Sequence, residues 1–397
     1  GNTISVFPNF ICSFGHLQHL KDKPMKRKLL LSIPLLLLFI TGCSQKPASN
    51  VDTPDYHFSA GMRLIDQEDY NGAIVSFEHA KDLDKIFAPA YGGLAIANAH
   101  LGDAKKAEYY VEEAKAKGGK DADVLTLCGQ AWIVMRNDKK NWFKKAEDVL
   151  EKALKRNENH EGALYYLGLA NLYNYEFSEA ESYFRRVVDQ KGSYAGKADD
   201  KWQLSQKIVR AMPGTTVGKK VALQDKITRA DLSVLFVEEL KFADLMSKMP
   251  QQSHGFQTPS QMAAQQVQSS PSDASGHWAE VWINDAVNFL IMDVFPDGKF
   301  YPDETITRAG YAMAVQRLLV TATRDYSLET RYFGENPSRF GDVPSSHPAY
   351  NAMALCSERG IMKADVITGH FNPNGFINGA DALLIIRTIQ TSLHQTF

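Results

Sequence analysis

Tyr165–Phe184 reads YYLGLANLYNYEFSEAESYF. A small residue, Gly168, sits in a first helical pattern, and Ala180 and Phe184 follow in a second. The same set occurs three times before it: Ala73-Phe77-Ala80, Ala107-Val111-Ala114 and Ala146-Leu150-Ala153, with Ala180-Phe184-Val187 as the fourth. A small residue leads each set: Gly61, Ala95, Gly129 and Gly168. The steps, read from positions 73, 107, 146 and 180, are 34, 39 and 34 residues. The long step is placed in the inter-helix turn of the third unit, around NDKKNWFKK. Each unit reads as two antiparallel helices, in which small residues allow close approach and large ones fill the groove. No unit buries its apolar face alone, so neighbours must stack.

This pattern resembles the tetratricopeptide repeat, over residues 56–196. The resemblance implies an all-α solenoid of about four helical hairpins. It also implies a concave groove for a peptide or partner helix, with a rigid spacer as the plainer alternative. The helix around DKWQLSQKIVRAM either caps the solenoid or begins the next region.

Beyond it, ITRA occurs twice, at Ile227–Ala230 and Ile306–Ala309, and a changed copy reads Ile377-Asn378-Gly379-Ala380. From the glycine turn onward, Gly298, Phe300, Pro302 and Ile306 reappear as Gly369, Phe371, Pro373 and Ile377, an offset of 71. Together with HWA at His277–Ala279, PDGKFYP at Pro296–Pro302 and FGDV at Phe340–Val343, these residues resemble the S-layer homology domain. The resemblance spans 197–397 as about three copies, with a Gln/Ser/Pro-rich linker at 247–276. FADL at Phe242 stands as the opening of the second copy. A three-lobed helical module with grooves between lobes is implied.

Thr228 and Thr307 stand where helix N-caps are wanted. The arginines after them, Arg229 and Arg308, lie at the helix end that favours anions, so each asks for a partner. The resemblance implies an acidic cell-wall glycan, gripped with Thr228, Thr307, Gly298 and Tyr301 nearby. A salt bridge to a neighbouring lobe is the alternative. Gly379 leaves the third lobe without that charge. Trp278 is expected in the core, and Tyr301 is left open between core and groove.

At the N-terminus, MKRKLLLSIPLLLLFITGCS from Met25 has a basic start and an apolar run too short to span a bilayer. It reads as a signal peptide. Ile40-Thr41-Gly42-Cys43 resembles a bacterial lipobox, which implies acylation at Cys43 and a membrane anchor. Residues 1–24 read as spurious upstream sequence and 44–55 as a flexible tether. The resemblance to lipoprotein sorting points Ser44 toward the outer membrane in a two-membrane host, and to the outer face of the plasma membrane otherwise.

Lys plus Arg is 44 against 46 Asp plus Glu, which gives no reason to expect nucleic-acid binding. Cys128 and Cys356 read as buried apolar residues rather than a disulfide. Cys/His spacing suggests no metal, and no cofactor is expected. No nucleophile elbow, HExxH or phosphate loop is present, so a non-enzymatic role is expected. The function expected is an envelope lipoprotein that binds wall polymer or peptidoglycan glycan through one region and a protein through the other. The alternative is a protein–protein scaffold that touches no glycan.

Overall fold

A computed structural model of the chain describes residues 52–248 and 270–396. The expected upstream segment, signal peptide, Cys43, most of the tether and most of the linker lie outside the described residues. Among the described residues the fold is all-α, with no strand longer than an isolated bridge. No helix there is long and apolar enough to cross a membrane.

Nine helices come first among these residues: α1 (Pro54–Asp66), α2 (Tyr70–Leu83), α3 (Ala88–His100), α4 (Ala104–Gly118), α5 (Ala122–Val134), α6 (Trp142–Arg156), α7 (Glu161–Tyr173), α8 (Phe177–Gln190) and α9 (Ala195–Ala211). Pro54 and Asp55, expected at the end of the tether, form the first turn of α1. Capping side chains set the helix starts. Asp69 accepts the Gly72 amide at 2.9 Å and Asp103 the Lys106 amide at 3.1 Å.

The helices pair as α1/α2, α3/α4, α5/α6 and α7/α8, and successive pairs stack. The small-and-large code explains the packing. Ala73, Phe77, Ala80, Ala107, Val111, Ala114, Ala146, Leu150, Ala153, Ala180, Phe184 and Val187 are all fully buried. Phe77 lies where a Cβ on Gly61 would come within 2.4 Å of its ring, and one on Gly93 within 2.5 Å. One ring therefore stitches α1 and α3 together, and its burial contributes about 1.5–3 kcal/mol. Gly168 admits Phe184 in the same way. The extra residues of the third pair sit in its turn: a 3₁₀ segment, Met135–Asn137, leads to Lys139, which bonds Glu108 of the preceding pair at 2.6 Å.

α9 packs on α8 and on the last helix of the chain, so it serves as cap and as bridge. The further α-helices among the described residues are α10 (Thr216–Val221), α11 (Arg229–Val234, continued by a π turn over Leu235–Glu239), α12 (Phe242–Lys248), α13 (Glu280–Asn288), α14 (Arg308–Thr323), α15 (Tyr350–Glu358) and α16 (Gly379–Thr396). FADL at Phe242 lies in α12 and does not open the second copy. Its cause is local: Phe242 packs into the core against Phe289, 5.6 Å away between ring centres.

The three ITRA-like segments meet. The Ile306 amide donates to the Ile227 carbonyl and the Ile227 amide to the Ile377 carbonyl, each at 3.0 Å. Antiparallel bridges join Thr228 to Thr305 and Thr307 to Phe376. Three lobes thus share a centre, and each lobe's long helix starts against the loop of the next.

Candidate binding grooves between the lobes

Each helix start leaves orphan amides that need acceptors. In lobe one, the Arg229 and Ala230 amides donate to the Glu304 and Pro302 carbonyls of lobe two. In lobe two, the Arg308 and Ala309 amides donate to the Gly375 and Pro373 carbonyls of lobe three. In lobe three, the Gly379 amide donates back to the Gln224 carbonyl at 2.8 Å. The cycle closes.

Side-chain caps complete these starts. Thr228 forms a reciprocal pair with Asp231, and Thr307 accepts the Gly310 amide at 3.1 Å. In the third copy Asn378 takes over, accepting the Asp381 amide at 2.8 Å.

The arginines do not form the salt bridges set out as the alternative to a glycan grip. Arg229 Nε donates to the Phe300 carbonyl and Nη2 to the Asp293 carbonyl, both at 2.7 Å. Arg308 repeats this on Phe371 (2.7 Å) and Lys363 (2.8 Å). Each guanidinium also lies over a buried ring, Phe300 at 4.5 Å or Phe371 at 4.8 Å. Burial lowers both guanidinium pKa values, while carboxylates near each raise them, and both groups stay charged at neutral pH. The arginine is a brace: a fork that reads two main-chain carbonyls of the next lobe. A guanidinium has five N–H donors and the brace uses two, so an open edge remains. Among the described residues, no carboxylate lies within ion-pair distance of either one.

The groove between lobes two and three is a cleft of about 380 Å³ lined by Arg308, Lys363, Phe376, Asp381 and Thr388 among others. Lys363 is exposed, and Asp381 is already paired with Lys207 of α9 at 2.9 Å. The matching position between lobes one and two is Asp293, whose carboxylate meets Arg317 at 2.5 Å. There Phe295 stands beside Arg229, and Tyr301 stands edge-on to Phe295 at 5.2 Å. Tyr301 is exposed, adopts a left-handed φ of 55°, and donates its hydroxyl to Asp297. That bond raises the phenol pKa and lowers that of Asp297. Gly298 provides the positive-φ turn of this loop (78°).

Trp278 corrects the expectation of a core residue. It is 55% exposed, beside Trp282 and His277, because the helix start it occupies faces outward.

Two acids hold the loops: Asp342, the aspartate of FGDV, and Asp273, which the sequence motifs did not single out. Asp273 accepts the Phe300 and Tyr301 amides at 2.8 and 2.7 Å. Asp342 accepts the Phe371 and Asn372 amides at the same distances. Burial alone would raise these carboxyls, but the paired amides outweigh it and hold both below their ordinary value. Asp273 is therefore the second copy's counterpart of the FGDV aspartate, inside what reads as linker. Cys128 and Cys356 are buried free thiols, each pushed up to about 12 by burial.

Residues 272–312 and 339–383 match the family model of the S-layer homology domain. These spans cover the second and third lobes from their loop-holding acids to their long helices. No curated protein and no solved structure matches the chain. S-layer homology domains are binding modules of the cell wall and envelope, which makes this an envelope-associated, extracytoplasmic protein.

Proposed function

We propose that the chain is a non-enzymatic envelope lipoprotein. Its three-lobed module grips an acidic wall polymer or a peptidoglycan-associated glycan, and its tetratricopeptide-like groove receives a protein. Acylation at Cys43 is the anchor of this reading. It would hold the protein to the outer membrane of a two-membrane host, or to the outer face of the plasma membrane in a host with one.

One observation carries the glycan reading: Arg308 keeps an edge with no ion pair in the cleft it shares with Lys363, where Asp381 is already paired with Lys207. Two cations lining one cleft, beside a helix start, suit a sugar acid or a ketal-linked carboxylate. The groove between lobes one and two offers a weaker version, with Arg229 and the ring of Tyr301, because Asp293 stands in the place of Lys363 there and supplies no cation.

Lys363→Ala tests this reading more cleanly than any change at Arg308. Arg308 uses the carbonyl of Lys363, not its side chain, so the variant keeps the brace and loses the charge. Pull-down on isolated wall sacculi should weaken by about tenfold with an unchanged melting temperature, as expected for one charge-assisted bond. Undiminished binding by well-folded Lys363→Ala and Arg308→Lys proteins would favour a scaffold that touches no glycan.

A further inference from the structure

Asp52, His57 and His79 form a second polar cluster, at the opposite end of the chain from the grooves. His57 Nε2 lies 2.9 Å from Asp52 Oδ1, and His79 Nε2 lies 3.0 Å from the same oxygen. The three donor atoms all fall within 4.8 Å of one another. The two imidazoles meet edge to face with centres 4.1 Å apart.

The hairpin explains this convergence. His57 is in the first turn of α1 and His79 in the last turns of α2, so an antiparallel pair sets them side by side. Gly61 against Phe77 fixes the approach of the two helices. Thr53 caps α1 by accepting the Tyr56 amide at 3.2 Å, and this holds the preceding residue, Asp52, over both rings. Without a cation, two imidazoles crowd one carboxylate oxygen, and each must spend an Nε2 proton on it. The neighbouring charges are mixed: Lys81 and Asp82 lie close on α2.

We propose that Asp52, His57 and His79 bind a divalent transition-metal ion, with zinc the best fit. Two neutral imidazoles and one carboxylate are a donor set that such ions take, with the remaining position open to water. Tetrahedral ligands at zinc bond lengths stand about 3.3 Å apart, so the two nitrogen–oxygen pairs, at 2.9 and 3.0 Å, need to open by only a few tenths of an ångström. On binding, both Nε2 lone pairs face the ion and each ring carries its proton on Nδ1. Asp52 and His79 are half exposed, which leaves a path for the ion. The site would latch the segment ahead of the solenoid onto α2, across 27 residues of chain.

Zinc titration of the full chain by calorimetry should show one tight equivalent. His57→Gln, His79→Gln and Asp52→Asn should each weaken it by tenfold or more, since even outer-shell partners are worth about 10–100-fold. Cobalt substitution gives a direct reading on the wild-type protein: a strong visible band of low-coordinate Co²⁺, absent from the triple variant. Asp52 and His79 are exposed and His57 is only partly buried, so circular dichroism should show unchanged helix in every variant. Tight zinc uptake retained by the triple variant, or a wild-type cobalt spectrum like that of the free aquo ion, would overturn the assignment.

Discussion

The junction between lobes two and three and the junction between lobes three and one solve one problem with different residues. At the first, Arg308 reaches from the mouth of its helix to two carbonyls of the next lobe. At the second, the same helix position is Gly379, and a Cβ there would fall 1.6 Å from the Val221 carbonyl oxygen. The main chains come too close for any side chain. The brace moves two turns along α16 instead: Arg387 donates Nε to Ala211 and Nη2 to Met212, each carbonyl at 2.6 Å. Nη2 also meets Glu239 at 2.9 Å, and that carboxylate is 1% exposed. Glu239 in turn accepts the Gly214 and Thr215 amides and the Thr215 hydroxyl. A repeated motif can therefore lose its hallmark residue and keep its mechanical role. What it loses is the open edge, because Arg387 spends its charge on Glu239.

The largest effect should come from filling Gly379. Gly379→Ala, and more so Gly379→Arg, should separate the third lobe from the first, at or beyond the upper end of the ~1–3 kcal/mol typical of overpacking. Thermal melting would show it. A Gly379→Arg protein that folds normally would mean the junction is far looser than described.

Next come the two braces. Arg387→Ala should cost about 3 kcal/mol, because it leaves a buried carboxylate without its partner. Arg308→Ala should cost less, about 1–2 kcal/mol, because it strands only carbonyls at a water-accessible edge. Denaturant midpoints for the pair would rank the junctions. The reverse order would break the comparison.

The smallest effect is expected in acid. Asp273 and Asp342 are depressed below their ordinary value of 3.8 in the folded state. Their contribution is complete above that value and is lost as the pH falls through the lower, folded one. Asp273→Asn and Asp342→Asn should each lower the melting temperature at pH 6 and flatten its decline below about pH 4. An unaltered acid slope would mean these carboxylates do not hold the loops.

The helical hairpins were legible because their code is local. Gly61 with Phe77, and Gly168 with Phe184, can be read from spacing alone. The caps Thr228 and Thr307 were legible for the same reason. The targets of Arg229 and Arg308 were not, because a main-chain carbonyl leaves no trace in side-chain identity. Nor was Asp273 legible, as its partners lie 27 and 28 residues away and its surroundings read as linker. Trp278 misled because its motif fixes a helix start but not which face looks inward. The convergence of His57 and His79 was not legible because their spacing follows a hairpin rather than one helix face.

The closing bonds of Arg387 join residues 175 and 176 positions apart, whereas each hairpin joins neighbours. This sets an order in time. The hairpins can form as the chain emerges, but the first lobe waits for α16 to be made. Until then the Val221–Gln224 surface and Glu239 stay uncovered. A chain cut short before α16 would thus present a finished solenoid followed by an open, sticky remnant, the kind of product that quality-control proteases remove.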